Sequence, residues 1–176
     1  SGFGATSIKF DGNGDYLSMS SSSDLYLGAP GNAWTIDYWV WHNSTQVAAQ
    51  PGFQQHITYP SSSVGFTSRT NPFGIKNING FVGIGASASS DTWVHVALVS
   101  DDASPTRSVR VYINGTQGAQ VSTTYDFGTP SGNYEVGRGN RTSGGNWNYT
   151  NMVWTGYLDE YRFSQVDRTA DSSDPM

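Results

Sequence analysis

An all-β fold of two antiparallel sheets packed as a sandwich is what this sequence predicts, on three observations. No window of about 11 residues or more places apolar side chains at helical spacing. The 21 glycines and seven prolines interrupt the chain every few residues, which confines any helix to a turn or two. Between these interruptions short β-favouring runs recur, the pattern of a sandwich built from many strands.

The runs follow in order. Thr6 to Phe10 leads into Asp11-Gly12-Asn13-Gly14 and then into Tyr16 to Met19. Glycine and asparagine accept the positive φ of a tight turn, so a hairpin is expected there. Trp34 to His42, Gln54 to Tyr59, Val64 to Ser68 and Phe81 to Ile84 come next. Within Thr92 to Ser100, the stretch Trp93 to Val99 is apolar on both faces, which predicts a central strand covered on both sides. Ser108 to Asn114 alternates so that Val109, Val111 and Ile113 share a face, and Asn114-Gly115 predicts a tight hairpin turn after it. The short connection through Asp101-Asp102 predicts that the strands of Trp93 and Val109 are neighbours in one sheet. Gln120 to Thr124, Tyr134 to Gly137 and Thr155 to Ser164 complete the set. From Asp167 onward, charges, serines and a proline without periodicity predict an extended C-terminal arm, residues 167–176, after a domain over 1–166.

A chain of 176 residues is long enough to close one core without staples. Charged residues make up only 13% and aromatic ones 14%, so polarity comes mainly from Ser, Thr, Asn and Gly. The net charge of −5, with Lys9 and Lys76 the only lysines, argues against nucleic acid, which requires a basic footprint. No apolar run approaches the length of about 18 residues that a membrane helix needs, and Ser1-Gly2-Phe3-Gly4 lacks the charged and apolar regions of a leader. A soluble chain without membrane insertion is expected. The absence of cysteine excludes disulfides, zinc-thiolate sites and cysteine nucleophiles.

Several motifs imitate chemistry without completing it. Asp11, Asn13 and Asp15 match the first ligands of an EF-hand loop, but Tyr16 stands where that loop needs Gly and Ser22 where it needs Glu. Gly83-Ile84-Gly85-Ala86-Ser87-Ala88 resembles a dinucleotide fingerprint with no helix to follow it. Glycosidase chemistry needs two carboxyls across one bond, and Glu135 and Glu160, the only glutamates, form no Glu-x-Asp-x-Glu pattern. Asp159 and Glu160 are adjacent on a strand and are expected on opposite faces. His42, His56 and His95 show no metal-ligand spacing, and His95 reads as a packed strand histidine. Asn43, Asn114, Asn140 and Asn148 head glycosylation sequons that matter only along a eukaryotic secretory route.

Five blocks in order resemble the laminin-G-like, concanavalin A-like jelly rolls. They are Thr6 to Leu17 with its Phe10-Asp11-Gly12, Trp34 to Val40, Thr92 to Ala97, Val109 to Gly115, and Gly156-Tyr157-Leu158-Asp159-Glu160-Tyr161-Arg162. The resemblance implies a two-sheet jelly-roll sandwich. The closing block with Arg168 is similar to versions in structural proteins of tailed phages, marine ones especially, which implies placement on a virion surface in contact with other virion proteins or with further copies of itself. It also implies a structural calcium at Asp159, with Asp11 or Asp15 adding charge.

The functional expectation is therefore a non-enzymatic virion module of tail, fibre or capsid surface that docks on coat proteins and contributes to host adhesion. The alternative is a lectin-like module of a secreted or cell-surface protein. For glycans the segment Gly144 to Thr150 stands out, because Trp147 and Tyr149 lie two apart in a Gly- and Asn-rich stretch and are expected to face the same way.

Overall fold

Residues that alternate between apolar and polar side chains commit a strand to one buried face, and residues apolar on both sides commit it to the middle of a sheet. The computed structural model follows this division. It describes residues 6–20, 22–25, 33–41, 57–59, 66–67, 74–77, 80–83, 89–101, 107–123, 133–137 and 155–170. Twelve strands lie among these residues: β1 (Ile8–Asp11), β2 (Leu17–Met19), β3 (Trp34–Trp41), β4 (Ile57–Tyr59), β5 (Phe66–Thr67), β6 (Gly74–Asn77), β7 (Gly80–Gly83), β8 (Trp93–Ser100), β9 (Arg107–Ile113), β10 (Thr116–Thr123), β11 (Tyr134–Val136) and β12 (Thr155–Ser164). A six-stranded sheet runs in the order β1-β12-β3-β8-β9-β10, a four-stranded sheet in the order β2-β11-β4-β5, and β6 and β7 form a separate ribbon. All pairings are antiparallel. The architecture is the two-sheet jelly-roll sandwich.

The core lies between the sheets. Trp34, Ile36, Tyr38 and Val40 of β3 meet Val94, Val96 and Leu98 of β8, Val109 and Val111 of β9, and Tyr134 and Val136 of β11. Each fully buried aliphatic side chain contributes about 1.5–3 kcal/mol relative to exposure. Phe10 of β1 joins the core at the far edge of the sheet. A Cβ on Gly137 would overlap the Phe10 ring, and the φ of 86° at Gly137 also favours glycine. The two sheets thus close on each other at one glycine.

β8 is central and pairs with β9 as predicted. The Asp101 carboxylate accepts the Ser108 amide at 2.9 Å and fixes the start of β9. Asn114 and Gly115 have φ of 50° and 76°, the paired positive values of a two-residue I′ turn.

Two local expectations need correction. The turn at Asp11 to Gly14 carries positive φ at Gly12 and Gly14 but makes no hairpin, because β1 pairs with β12 and β2 with β11. It carries the chain from one sheet to the other. Residues 167–170, expected in an extended arm, instead form a 3-10 turn at Arg168–Ala170 that is bonded to the six-stranded sheet. Residues 171–176 lie outside the described residues. Sequence patterning also gave no sign of β6, whose Gly74 and Asn77 are poor strand formers held by pairing with β7.

Candidate functional site

The face of the six-stranded sheet turned away from the core carries the most concentrated chemistry among the described residues. Parity places Thr35, Asp37, Trp39 and Trp41 of β3 on this outer face, since Trp34, Ile36, Tyr38 and Val40 point inward. Pairing then defines rows across the strands. Tyr157, Trp41 and Trp93 form one row, and Asp159, Trp39 and His95 the next. Arg162, Asp37, Ala97 and Tyr112 form the third, and Ser164, Thr35, Val99 and Arg110 the fourth.

β12 reaches both faces because it is bulged. Asp159 pairs with Trp39 and Arg162 with Asp37, so β12 advances three residues while β3 advances two. One extra residue in one strand reverses its alternation. Before the bulge Tyr157 and Asp159 point outward; after it Arg162 does, while Tyr161 and Phe163 turn in against the core. Glu160 takes a φ of 47° at the bulge, and the Asp159 carboxylate accepts its amide at 2.8 Å.

The third and fourth rows form a buried ionic network. Asp37 is 2% exposed. Its carboxylate accepts Arg162 Nε at 3.2 Å on both oxygens and Arg162 Nη2 at 3.0 Å. His95 Nε2 and Arg168 Nε each stand 3.7 Å from it. Burial pushes the Asp37 carboxyl up, but His95 and Arg162 together outweigh burial, and the group titrates below the ordinary carboxylate range. The chain after β12 folds back over this half of the face. Thr35 Oγ1 donates to the Val166 carbonyl at 2.8 Å and accepts the Arg168 amide at 3.1 Å. Asp167 pairs with Arg110 and caps Thr169. Burial raises the Asp167 carboxyl, and the bonds from Thr169 and Arg110 lower it further than burial raises it. Ala97 and Val99 are fully buried, although their parity directs them to this outer face.

The other half of the face is aromatic. The Tyr157 ring stands edge-on to Trp41, with centroids 5.5 Å apart, and 6.4 Å from Trp93. Trp39 tilts against the His95 ring at 5.1 Å. Tyr157, Trp41, Trp93 and Trp39 all keep partial exposure, so a platform of four aromatic side chains spans three strands. Sequence reading missed it as a site. The alternation of Trp39 and Trp41 was a signal, but their meeting with Tyr157 depends on strand order.

The residues singled out from sequence fall as follows. Trp147 and Tyr149 lie outside the described residues. Asp11 and Asp15 share one exposed turn, where the Asp15 carboxylate accepts the Asp11 amide at 3.0 Å and the Asp11 carboxylate accepts the Asn13 amide at 2.7 Å. Asp159 is apart from them: Asp11 pairs with Thr155, and four residues of strand put Asp159 roughly 13 Å further along β12. Calcium takes about six to eight oxygens around one centre, and the three carboxylates do not converge on one. Asp159 already serves the bulge. Among the described residues no group of three or more His, Asp or Glu side chains is placed to hold a metal ion.

A sequence profile described as the concanavalin A-like lectin/glucanases superfamily matches residues 11–172. The chain belongs to this superfamily. No curated protein matches it. Among solved structures, the concanavalin A-like chain is similar to the binding domain of botulinum neurotoxin serotype D, with a TM-score of 0.58 and 12% identity. The match covers 94% of this chain and 42% of that one. At such identity the likeness speaks for the fold. No helix among the described residues is long and apolar enough to cross a membrane.

Proposed function

We propose that this concanavalin A-like chain is a non-catalytic binding module that holds carbohydrate on the aromatic half of the outer face. The observation that carries this reading is the row Tyr157, Trp41 and Trp93 with Trp39 behind it. Flat, partly exposed rings stack on the C–H faces of sugar rings, and Asp159 in the next row supplies hydrogen-bond acceptors for hydroxyls. The lectins of the superfamily and the binding domain of the neurotoxin, which shares the fold, support a ligand-holding role. The sequence lacks the paired carboxyls of glucanase chemistry, which supports a role without turnover.

Glycan-array binding tests it. Trp41→Ala and Trp93→Ala are expected to weaken binding at least tenfold, about 1.4 kcal/mol, with the fold kept. Trp147→Ala and Tyr149→Ala test the loop expected from sequence. If only that pair matters, the site is the loop; if no glycan binds, the carbohydrate reading fails.

A second reading, a virion structural module docked on coat proteins or on its own copies, is favoured by the likeness of the closing strand to phage proteins. Finding the chain in purified particles, with no glycan binding, would support it over the first.

A further inference from the structure

Strand parity says which side chains belong inside a sandwich. Ile8 pairs with Leu158, while Leu17 and Met19 pair with Val136 and Tyr134. Leu158, Val136 and Tyr134 are all core residues, so Ile8, Leu17 and Met19 are directed toward the space between the sheets. Phe10, on the same side of β1 as Ile8, is 1% exposed. Yet Ile8 remains 47% exposed and Leu17 and Met19 43% each, with Tyr16 beside them at 41%. Inward-directed apolar residues that stay half exposed mark a place where, among the described residues, the two sheets do not cover each other.

The strand order gives the reason. β1 is the outermost strand of the six-stranded sheet and β2 of the four-stranded sheet, and the Asp11 to Asp15 turn joins them along one side of the molecule. No described strand pairs with the outer edge of β2. β1 ends at the Ile8 to Leu158 pair while β12 continues to Ser164, so the β12 edge beyond Leu158 has no described strand on that side either. Sandwich edges are usually guarded by charge, proline or a covering loop. Leu17-Ser18-Met19 carries no charge and no proline.

Charge selects the occupant. The exposed carboxylates of Asp11 and Asp15 stand at one end of the slot, where β1 turns into β2, and Glu160 is exposed on β12 past the end of β1. Asp24 lies exposed beyond β2, where its carbonyl accepts Gln165 Nε2 at 2.6 Å. Lys9 is the one cation on these two strands; Arg162 is bound to Asp37 on the outer face. A second copy of a chain with net charge −5 would bring the same acidic ends against these. From the exposed inward residues, the open edge and the acidic ends, we infer that this side is a protein-interaction surface. It accepts an extended strand of another protein, apolar at alternate positions and flanked by lysine or arginine, which adds to β2 and seats its apolar side chains on Ile8, Leu17 and Met19.

The test uses the intact chain and two synthetic strands of alternating valine and threonine, one flanked by lysines and one by glutamates, with affinity read by fluorescence anisotropy. The lysine-flanked strand is expected to bind at least tenfold more tightly at low salt, with the gap narrowing as salt screens the charges. Leu17→Asp with Met19→Asp should abolish that binding, whereas Trp41→Ala on the carbohydrate face should leave it unchanged. The two-peptide comparison on the unaltered chain stands even if the double variant fails to fold. Equal affinity for both strands, or no binding of either, overturns the inference. So does a self-associated chain in sedimentation that L17D/M19D makes monomeric, since the occupant would then be a second copy.

Discussion

Asp37 is one carboxylate shared among three basic side chains, Arg162, Arg168 and His95. Removing it leaves those groups without their common acceptor. Asp37→Ala should cost about 3–5 kcal/mol, read as a lowered urea midpoint. The same site sets the response to acid. The folded pKa values of Asp37 and Asp167 lie below the ordinary carboxylate value, which is about 3.9 in an unfolded chain. The unfolded chain therefore binds more protons in that range, so the stabilisation is complete above about pH 4–5 and is lost as pH falls through the folded values. Melting temperature should be level from neutral pH to about pH 5 and fall below pH 4. Asp37→Asn should start lower and fall less steeply. An unchanged acid limb in that variant would place the linkage elsewhere.

At the scale of elements, the segment after β12 acts as a strap across β3 and β9. Arg168→Ala removes the 3.7 Å contact with Asp37 from a largely buried position and should cost about 2 kcal/mol or more. Truncation after Gln165, which also removes the bonds to Thr35 and Arg110, should lower the melting temperature further; a truncated chain with an unchanged melt would show that the strap is dispensable. The strap was not legible in the sequence because its anchors are remote. Thr35 lies 131 residues before Val166, and Arg110 lies 57 before Asp167. Alternation reports only on neighbours along one strand. For the same reason β8 and the Asn114-Gly115 hairpin could be read directly, while the Asp11 to Gly14 turn was read as a hairpin. Positive φ at glycine marks a change of direction and does not say which sheet receives the chain.

At the scale of the whole molecule, the sheets are joined at Phe10 and Gly137. Gly137→Ala should destabilise the fold by about 2 kcal/mol or more through overlap with the ring and the positive φ. Phe10→Ala should cost about 3–5 kcal/mol, and the double variant less than the sum, because the smaller side chain makes room for the new methyl. Strictly additive losses in chemical denaturation would show that the two positions do not meet. The aromatic platform belongs to this scale too. Trp39, Trp41, Trp93 and Tyr157 are plain in the sequence, but they become one surface only through the order β12-β3-β8, which no single stretch of sequence reveals.

The extra residue at Glu160 has a genetic corollary. Losing the Glu160 codon would remove the extra residue and restore simple alternation, with Arg162 still opposite Asp37 and the Tyr161 and Phe163 side chains still turned to the core. Losing one codon from Ile36 to Tyr38, where β3 pairs with β8 without an extra residue, would turn one end of that strand over and put core side chains on its outer face. In a library of single-codon losses scored for soluble expression, positions 36–38 should be depleted far more strongly than position 160. Equal survival at the two places would mean that β3 can slip to recover its count.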